Sequence, residues 1–309
     1  MKQGKDHINV CTCTYKRPEL LERLLGGLQD QKTENKFTYS IVIVDNDHLL
    51  SAEHVVKRMM KMSAVGIEYF VEPEKGYSTA RNKLVENAKG NYIAFIDDDE
   101  FPEHTWLINL YNTCKKHKAD GVLGPVKPHF VKDPPAWIVK SKLCEKPGYK
   151  LSTGSILDSS NTRTSNVIIS TNVFSSKDNR FNPEFGRTGG EDVDFFKRMM
   201  KRGFTFVWCE EAPVYETVPE DRWMKTYFLR RALLQGAVDT RYIKYEISKK
   251  QKVYIFIKTV AASILYTMFL PLFGLLGEHI FIKYLVKDCH HIGRLFAMCG
   301  IILIKVRNF

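Results

Sequence analysis

The chain has 309 residues, 26% charged and 44% hydrophobic, long and apolar enough to bury one large core or two smaller ones. Twelve prolines and nineteen glycines are ordinary usage, and no self-similarity recurs at roughly 20–50 residues, which excludes disordered, collagen-like and solenoid chains. The net charge is +11, and from Glu220 onward fifteen basic residues face six acidic ones, so most of the excess sits beside the apolar C-terminal sequence. That pairing points to an anionic membrane surface and not to nucleic acid, with a solvated basic face as the plain alternative.

Seven scattered cysteines match neither a disulfide framework nor a zinc spacing and suit a reducing cytoplasm. Cys11 and Cys13 alternate within an apolar run and read as small core residues of a strand. The N-terminal MKQGKDH leads into that run with no cleavable apolar region, so no signal peptide is expected.

In chain order, Ile8–Thr14 reads as a strand. Pro18 then opens a helix whose leucines 20, 21, 24, 25 and 28 form one stripe. Tyr39–Asp45 is a continuous apolar run ending in a carboxylate, as suits a buried parallel strand. A helix near Ala52–Met62, a strand at Ile67–Val71, a helix at Ser78–Asn87 and a strand at Tyr92–Ile96 continue the alternation. This is the pattern of right-handed βαβ crossovers: an α/β fold with a mostly parallel, Rossmann-like sheet flanked by helices. Ligands on such sheets bind at strand carboxyl ends, where Thr14, Asp45 and Asp97 fall.

Beyond Phe101 the spacing predicts a helix at Trp106–His117, a Pro-rich segment at 125–135, a strand at Asn166–Ser170 and a helix at Asp192–Arg202 closed by Gly203. Thr259–Gly277 carries no charge over nineteen residues and is interrupted by Pro271, Gly274 and Gly277. Lysines flank it on both sides, which favours both ends being cytoplasmic and a monotopic or re-entrant hairpin. A second apolar stretch, Leu295–Ile304, is expected along the interface; a buried helix pair of a soluble protein is the alternative.

The sharpest chemical signal is Asp97-Asp98-Asp99-Glu100 directly after an apolar strand. Like charges so close repel, and a hard divalent ion such as Mn²⁺ or Mg²⁺, shared with diphosphate oxygens, relieves them. An acidic surface turn is the alternative.

Several separated segments together resemble the family 2 glycosyltransferases of GT-A fold. They are Thr14-Tyr15-Lys16-Arg17-Pro18, Val44-Asp45-Asn46, the Gly76–Asn82 segment, Asp97-Asp98-Asp99 and Gly189-Gly190-Glu191-Asp192. The resemblance is strongest to bacterial exopolysaccharide and lipopolysaccharide assembly enzymes with a membrane-associated tail. It implies a hexosyltransferase that inverts at the anomeric carbon. Its expected partners are a nucleotide-sugar donor, UDP favoured, and a glycan acceptor, lipid-linked, at the cytoplasmic face of the cell membrane.

Carried over, Thr14, Tyr15 and Arg17 lie along the nucleotide and Asp45 meets the base, or else Asp45 caps the next helix. Asp97 or Asp98 holds the ribose, Asp99 with Asp97 binds the metal, and Arg81 and Asn82 support the donor pocket. Asp192, with Glu191, is the general base. On the acceptor side stand Asn166, Glu216 (where relatives place a histidine ligand), Arg222 and Trp223. Residues 1–110 and 111–220 are then the donor and acceptor halves, and 221–309 the helical tail. Pro219-Glu-Asp-Arg-Trp223 lacks the glutamine of processive synthases, which favours single addition. Two other readings are weighed: a sugar nucleotidyltransferase, disfavoured because no glycine-rich loop follows the first strand, and a non-catalytic nucleotide-sugar binding protein.

Overall fold

The computed structural model describes residues 4–146, 151–185, 189–246, 248–301 and 303. The chain divides into two compact units: one of residues 1–129 and 145–217, the other of 130–144 and 218–309.

The first unit is built on a seven-stranded sheet of order β3-β2-β1-β4-β8-β6-β9. Its strands are β1 (Asp6–Thr14), β2 (Phe37–Asp45), β3 (Ile67–Val71), β4 (Tyr92–Phe95), β6 (Gly121–Leu123), β8 (Val167–Ser170) and β9 (Phe206–Trp208). β1 to β4 are mutually parallel, β8 runs against both its neighbours, and β6 pairs with β9 in parallel. A second sheet joins β5 (Glu100–Pro102), β10 (Val214–Thr217) and β7 (Val126–His129).

The two-residue period of the strands sorts their side chains between two cores. Ile41 and Ile43 enter the one packed by α1 (Pro18–Gly27), α2 (Glu53–Met62) and α4 (Trp106–His117). Val42 and Val44 enter the one packed by α3 (Tyr77–Asn87) and α6 (Glu191–Lys201). Cys11 is buried in that second core and Cys13 packs at its edge, where burial raises the Cys13 thiol pKa to about 12. Both are free thiols.

The helices and strands expected up to Asn87 form within one or two residues of their expected bounds. Of the later expectations, the strand at Asn166–Ser170 begins one residue on, because Asn166 takes a left-handed φ of 51°. The three- and four-residue strands β6, β7, β9 and β10 are too short to carry a legible period.

The second unit contains α5 (Ala136–Ser141) directly after the Pro-rich segment, α7 (Lys225–Glu246), α8 (Lys249–Leu275) and α9 (Glu278–Met298). α8 begins ten residues before the uncharged stretch, at a capping box formed by Ser248 and Gln251. It runs through Pro271 and Gly274, which were expected to interrupt it, and ends at Leu275, two residues before Gly277, whose φ of 119° favours glycine. The expected stretch Leu295–Ile304 is not a separate element: its first four residues close α9, and residues 302 and 304 lie outside the described ones.

Candidate active site

β1 and β2 end in register, Thr14 opposite Asp45, and the Ile96 amide donates to the Cys11 carbonyl beside them. The chain leaving β4 therefore turns past the end of β1. There Thr14 Oγ1 donates to Asp98 Oδ2 at 2.9 Å. Arg17, at the N-cap of α1, donates to Asp98 Oδ1 at 3.2 Å and Asp99 Oδ2 at 3.3 Å. Arg23, farther along α1, donates to the Asp99 carbonyl at 3.2 Å and to Thr217 Oγ1. Asp98, Asp99 and Glu100 are all buried.

So much buried acid is costly, and its proton affinities show it. The Asp99 carboxyl is pushed up to about 7, first by burial and then by Asp97, Glu216 and Asp98, against the pull of Arg17. Burial likewise raises Asp98, and burial with Asp97 and Asp99 raises Glu100. Glu100 lies opposite Glu216 in the β5–β10 ladder, and Lys146 Nζ pairs with Glu216 at 2.9 Å.

The other wall comes from α3 and α6. Arg81 pairs with Glu191, and its second terminal nitrogen lies 3.8 Å from Asp97 Oδ1. Burial opposes the Arg81 charge, but Glu191 and Asp97 outweigh it and raise its pKa. Asn82 fixes α3 to the approach to α6 by a two-way bond with the Phe181 backbone, at 2.8 and 2.9 Å. Gly190 caps α6 with φ 93°, and a side chain at Gly189 would meet nothing within 4 Å. Among the described residues Glu191 Oε2 is buried with no hydrogen-bond partner, and half-buried Asp192 accepts from the Val193 amide at 2.8 Å.

The structure thus brings together Thr14, Arg17, Arg81, Asp97, Asp98, Asp99, Glu191 and Glu216. Tyr15, the next residue after β1, carries the Lys16 and Lys75 ammoniums over its ring at 5.3 and 5.5 Å. Two expected site residues have their polar atoms taken up within the fold. Asp45 has no exposed surface, and its oxygens accept from the Asp47 and Ala52 amides and from Tyr69 Oη at 2.9–3.0 Å. Ala52 is the N-cap residue of α2, which has no side-chain cap. Asn166 is fully buried, accepts from Trp106 Nε1 at 2.7 Å and donates to the Pro125 and Ala212 carbonyls at 2.8 Å. Arg222 and Trp223 belong to the second unit, where Trp223 packs on Phe130.

Residues the sequence reading passed over are Arg23, Lys146 and Arg163. Arg163 is buried, donates to the Gly124 carbonyl at 2.9 Å, and lies 5.6 Å over the Trp208 ring. Burial lowers its pKa, while Glu100, Asp192, Glu216 and Asp97 act the other way. The only signal for it was a cation in the polar run 162–166.

A sheet with a nucleotide-type acid cluster at its carboxyl edge and a second acid pair heading a later helix defines a glycosyltransferase of GT-A fold. The chain belongs to glycosyl transferase family 2, whose family model matches residues 9–176. The nucleotidyltransferase and non-catalytic readings give way to that membership. The chain is 32% identical over 240 residues to the succinoglycan biosynthesis protein ExoM of Rhizobium meliloti, covering 77% of this chain and 75% of ExoM. Among solved structures it resembles the mannosyltransferase PcManGT from Pyrobaculum calidifontis in complex with GDP-Man and Mn²⁺, at TM-score 0.63 and 16% identity over 96% of this chain and 87% of that one. It also resembles S. aureus TarS in complex with UDP, at TM-score 0.50 and 15% identity over 95% and 92%. These two likenesses establish the fold.

Proposed function

We propose that the protein is an inverting, divalent-metal-dependent glycosyltransferase. It moves a sugar from a nucleotide diphosphate donor, UDP favoured, to a glycan acceptor, lipid-linked, in polysaccharide assembly at the cytoplasmic membrane face. The carrying observation is the crowding of Asp97, Asp98, Asp99 and Glu100 against Glu191 and Glu216, with the Asp99 carboxyl raised to about 7. UDP beside TarS and the role of ExoM in succinoglycan biosynthesis support the donor and the product class.

The donor set fits a hard cation, with carboxylate oxygens in surplus. Asp97 and Asp99 would hold the ion, although no three or more His, Cys, Asp or Glu side chains are grouped for one among the described residues. When bound, such an ion neutralises charge developing on the leaving diphosphate.

The protein's own groups do the rest. Arg17 and Thr14 hold Asp98 and Asp99 in place, and the nucleotide lies along Thr14, Tyr15 and Arg17. Asp98 or Asp97 takes the ribose, with residues 1–110 as the donor half and 111–220 as the acceptor half. Asp192 accepts the proton of the acceptor hydroxyl as its oxygen bonds to the anomeric carbon and the bond to the diphosphate breaks on the opposite face. Glu191 Oε2 is an acceptor for a substrate hydroxyl, while Arg81 holds that carboxyl in position and works against the burial that raises its pKa.

The test is calorimetric titration with UDP, GDP and dTDP, each with and without Mn²⁺, on the wild type and Asp99→Ala. One nucleotide binding only with metal, and lost in the variant, is the expected result; binding to none under any condition overturns the donor site.

A further inference from the structure

α8 is apolar over most of its surface and carries one short polar strip. That strip is turned to α9, beside the stacked Phe273 and Tyr284 rings: Ser263 Oγ and Thr267 Oγ1 donate to the two oxygens of buried Asp288, at 2.6 and 2.8 Å, and Thr259 is buried alongside. Its opposite side is apolar and exposed. Val253, Ile257, Ile264, Met268 and Leu275 recur at helical spacing and are 52–85% exposed with Leu265. Hydroxyls turned inward to a buried carboxylate and aliphatic side chains left exposed outside are an arrangement that hydrocarbon favours and water does not.

Length and composition allow α8 to cross a bilayer. Its partner does not. α9 runs antiparallel to it, Phe273 stacking on Tyr284 and Ser263 meeting Asp288, so the two helices lie level along their length. α9 carries Lys283, Lys287 and Arg294 within that span, with Lys287 exposed. Carrying these to mid-bilayer costs roughly 3 kcal/mol each or more. Nor is α9 free to leave α8. Its far flank is locked to α7, where a Cβ on Gly236 would meet the His290 carbonyl at 2.1 Å and one on Gly293 the Leu233 carbonyl at 2.1 Å. At the head of α8, Lys249, Lys250, Lys252 and Lys258 carry four positive charges with no acid among them.

We infer that α8 lies along an anionic membrane surface without crossing it, its outward stripe immersed in the acyl region, its leading lysines at the phosphate level and α9 behind it on the aqueous side. This rests on the membrane location proposed above and gives it a depth and an orientation. Lipid is the occupant, not a second copy of the chain, because the lysines in the first ten residues of α8, with no acid among them, complement anionic headgroups and repel a second copy of themselves.

The test uses the full chain with Cys299→Ser, labelled with an environment-sensitive fluorophore at Ile257→Cys, Met268→Cys or Leu275→Cys. Each is mixed with vesicles of phosphatidylcholine alone or with about one quarter phosphatidylglycerol. Binding is expected with the anionic vesicles, and nitroxide lipids are expected to place all three sites at one shallow depth. Met268→Glu with Leu272→Glu is expected to weaken binding roughly ten-fold or more while circular dichroism is unchanged. A depth gradient passing through the bilayer centre, no vesicle binding, or sedimentation as a dimer that the double variant makes monomeric each overturns the inference. Nucleotide titration of the same samples separates the two readings: nucleotide binding without vesicle binding sinks this one alone, and the converse sinks the donor site alone.

Discussion

Arg81 on α3 and Glu191 at the start of α6 form an ion pair across 110 positions of sequence, with Asp97 3.8 Å from the same guanidinium. The pair fastens the helix that carries Asp192 to the helix that follows β3, and it does so beside the acid cluster. Positioning of Asp192 and neutralisation of the cluster thus depend on one side chain.

Arg81→Ala leaves two carboxylates without their cation, one of them buried. Since removing one partner of a buried pair costs roughly 3–5 kcal/mol, urea unfolding is expected to show a loss near the lower end, given the partial exposure of Asp97. Arg81→Met combined with Glu191→Gln is expected to recover much of it. A loss below about 0.5 kcal/mol in the single variant means the pair is not structural.

Asp99 titrates near 7 in the folded chain against an ordinary 3.8. Between those values the folded protein binds more protons than the unfolded one, so stability falls as pH rises through the window and this contribution is gone above it. The full span is worth up to about 4 kcal/mol. Melting in chelator is expected to drop from pH 5 to pH 8 in the wild type, and distinctly less in Asp99→Asn. Added Mn²⁺ restores the wild type at pH 8 and leaves the variant unmoved. A wild-type melting point flat across that range refutes the account.

Asp192→Asn keeps the Val193 contact through its amide oxygen and loses the basic site. Transfer to acceptor is expected to fall by roughly 10²–10⁴ while metal-dependent nucleotide binding is unchanged. Full transfer by the variant makes another group the base.

Asn166→Ala removes the bracket between Trp106, Pro125 and Ala212. A loss of roughly 2–3 kcal/mol in chemical unfolding is expected, because buried backbone carbonyls and an indole N–H are left unpaired. Gly124→Ala, whose Cβ would sit 2.2 Å from the Ala212 carbonyl, is expected to be comparably damaging. A stable Asn166→Ala whose acceptor KM alone has risen would put Asn166 on the acceptor side.

Much of the first unit was legible because its order is local. A leucine stripe after Pro18, a continuous apolar run to Asp45 and an acid cluster after Phe95 each announce an element or a strand end without reference to distant chain. The Thr14–Asp98 contact then follows from parallel register alone. Asp45 shows the limit: an aspartate at a strand end has one sequence signature, whether it meets a ligand or is tied into the fold, and only the packing that brings Ala52 and Tyr69 to its oxygens shows the second. Asn166 shows it again, since its left-handed backbone and three partners from α4, the 124–126 turn and the approach to β10 carry no periodic signal.

By itself, then, the sequence determined the alternating fold, the carboxyl-edge acid cluster, the second acid pair and the apolar, basic character of the C-terminal region, because hydrophobic period and charge are properties of contiguous residues. Tertiary structure alone decided which carboxylates are buried together, that Arg81, Lys146 and Arg163 answer them, and that α8 turns its hydroxyls to Asp288 and its apolar stripe outward. Those outcomes depend on which distant helix or strand packs against which face, and the desolvation that results acts on groups no local pattern connects.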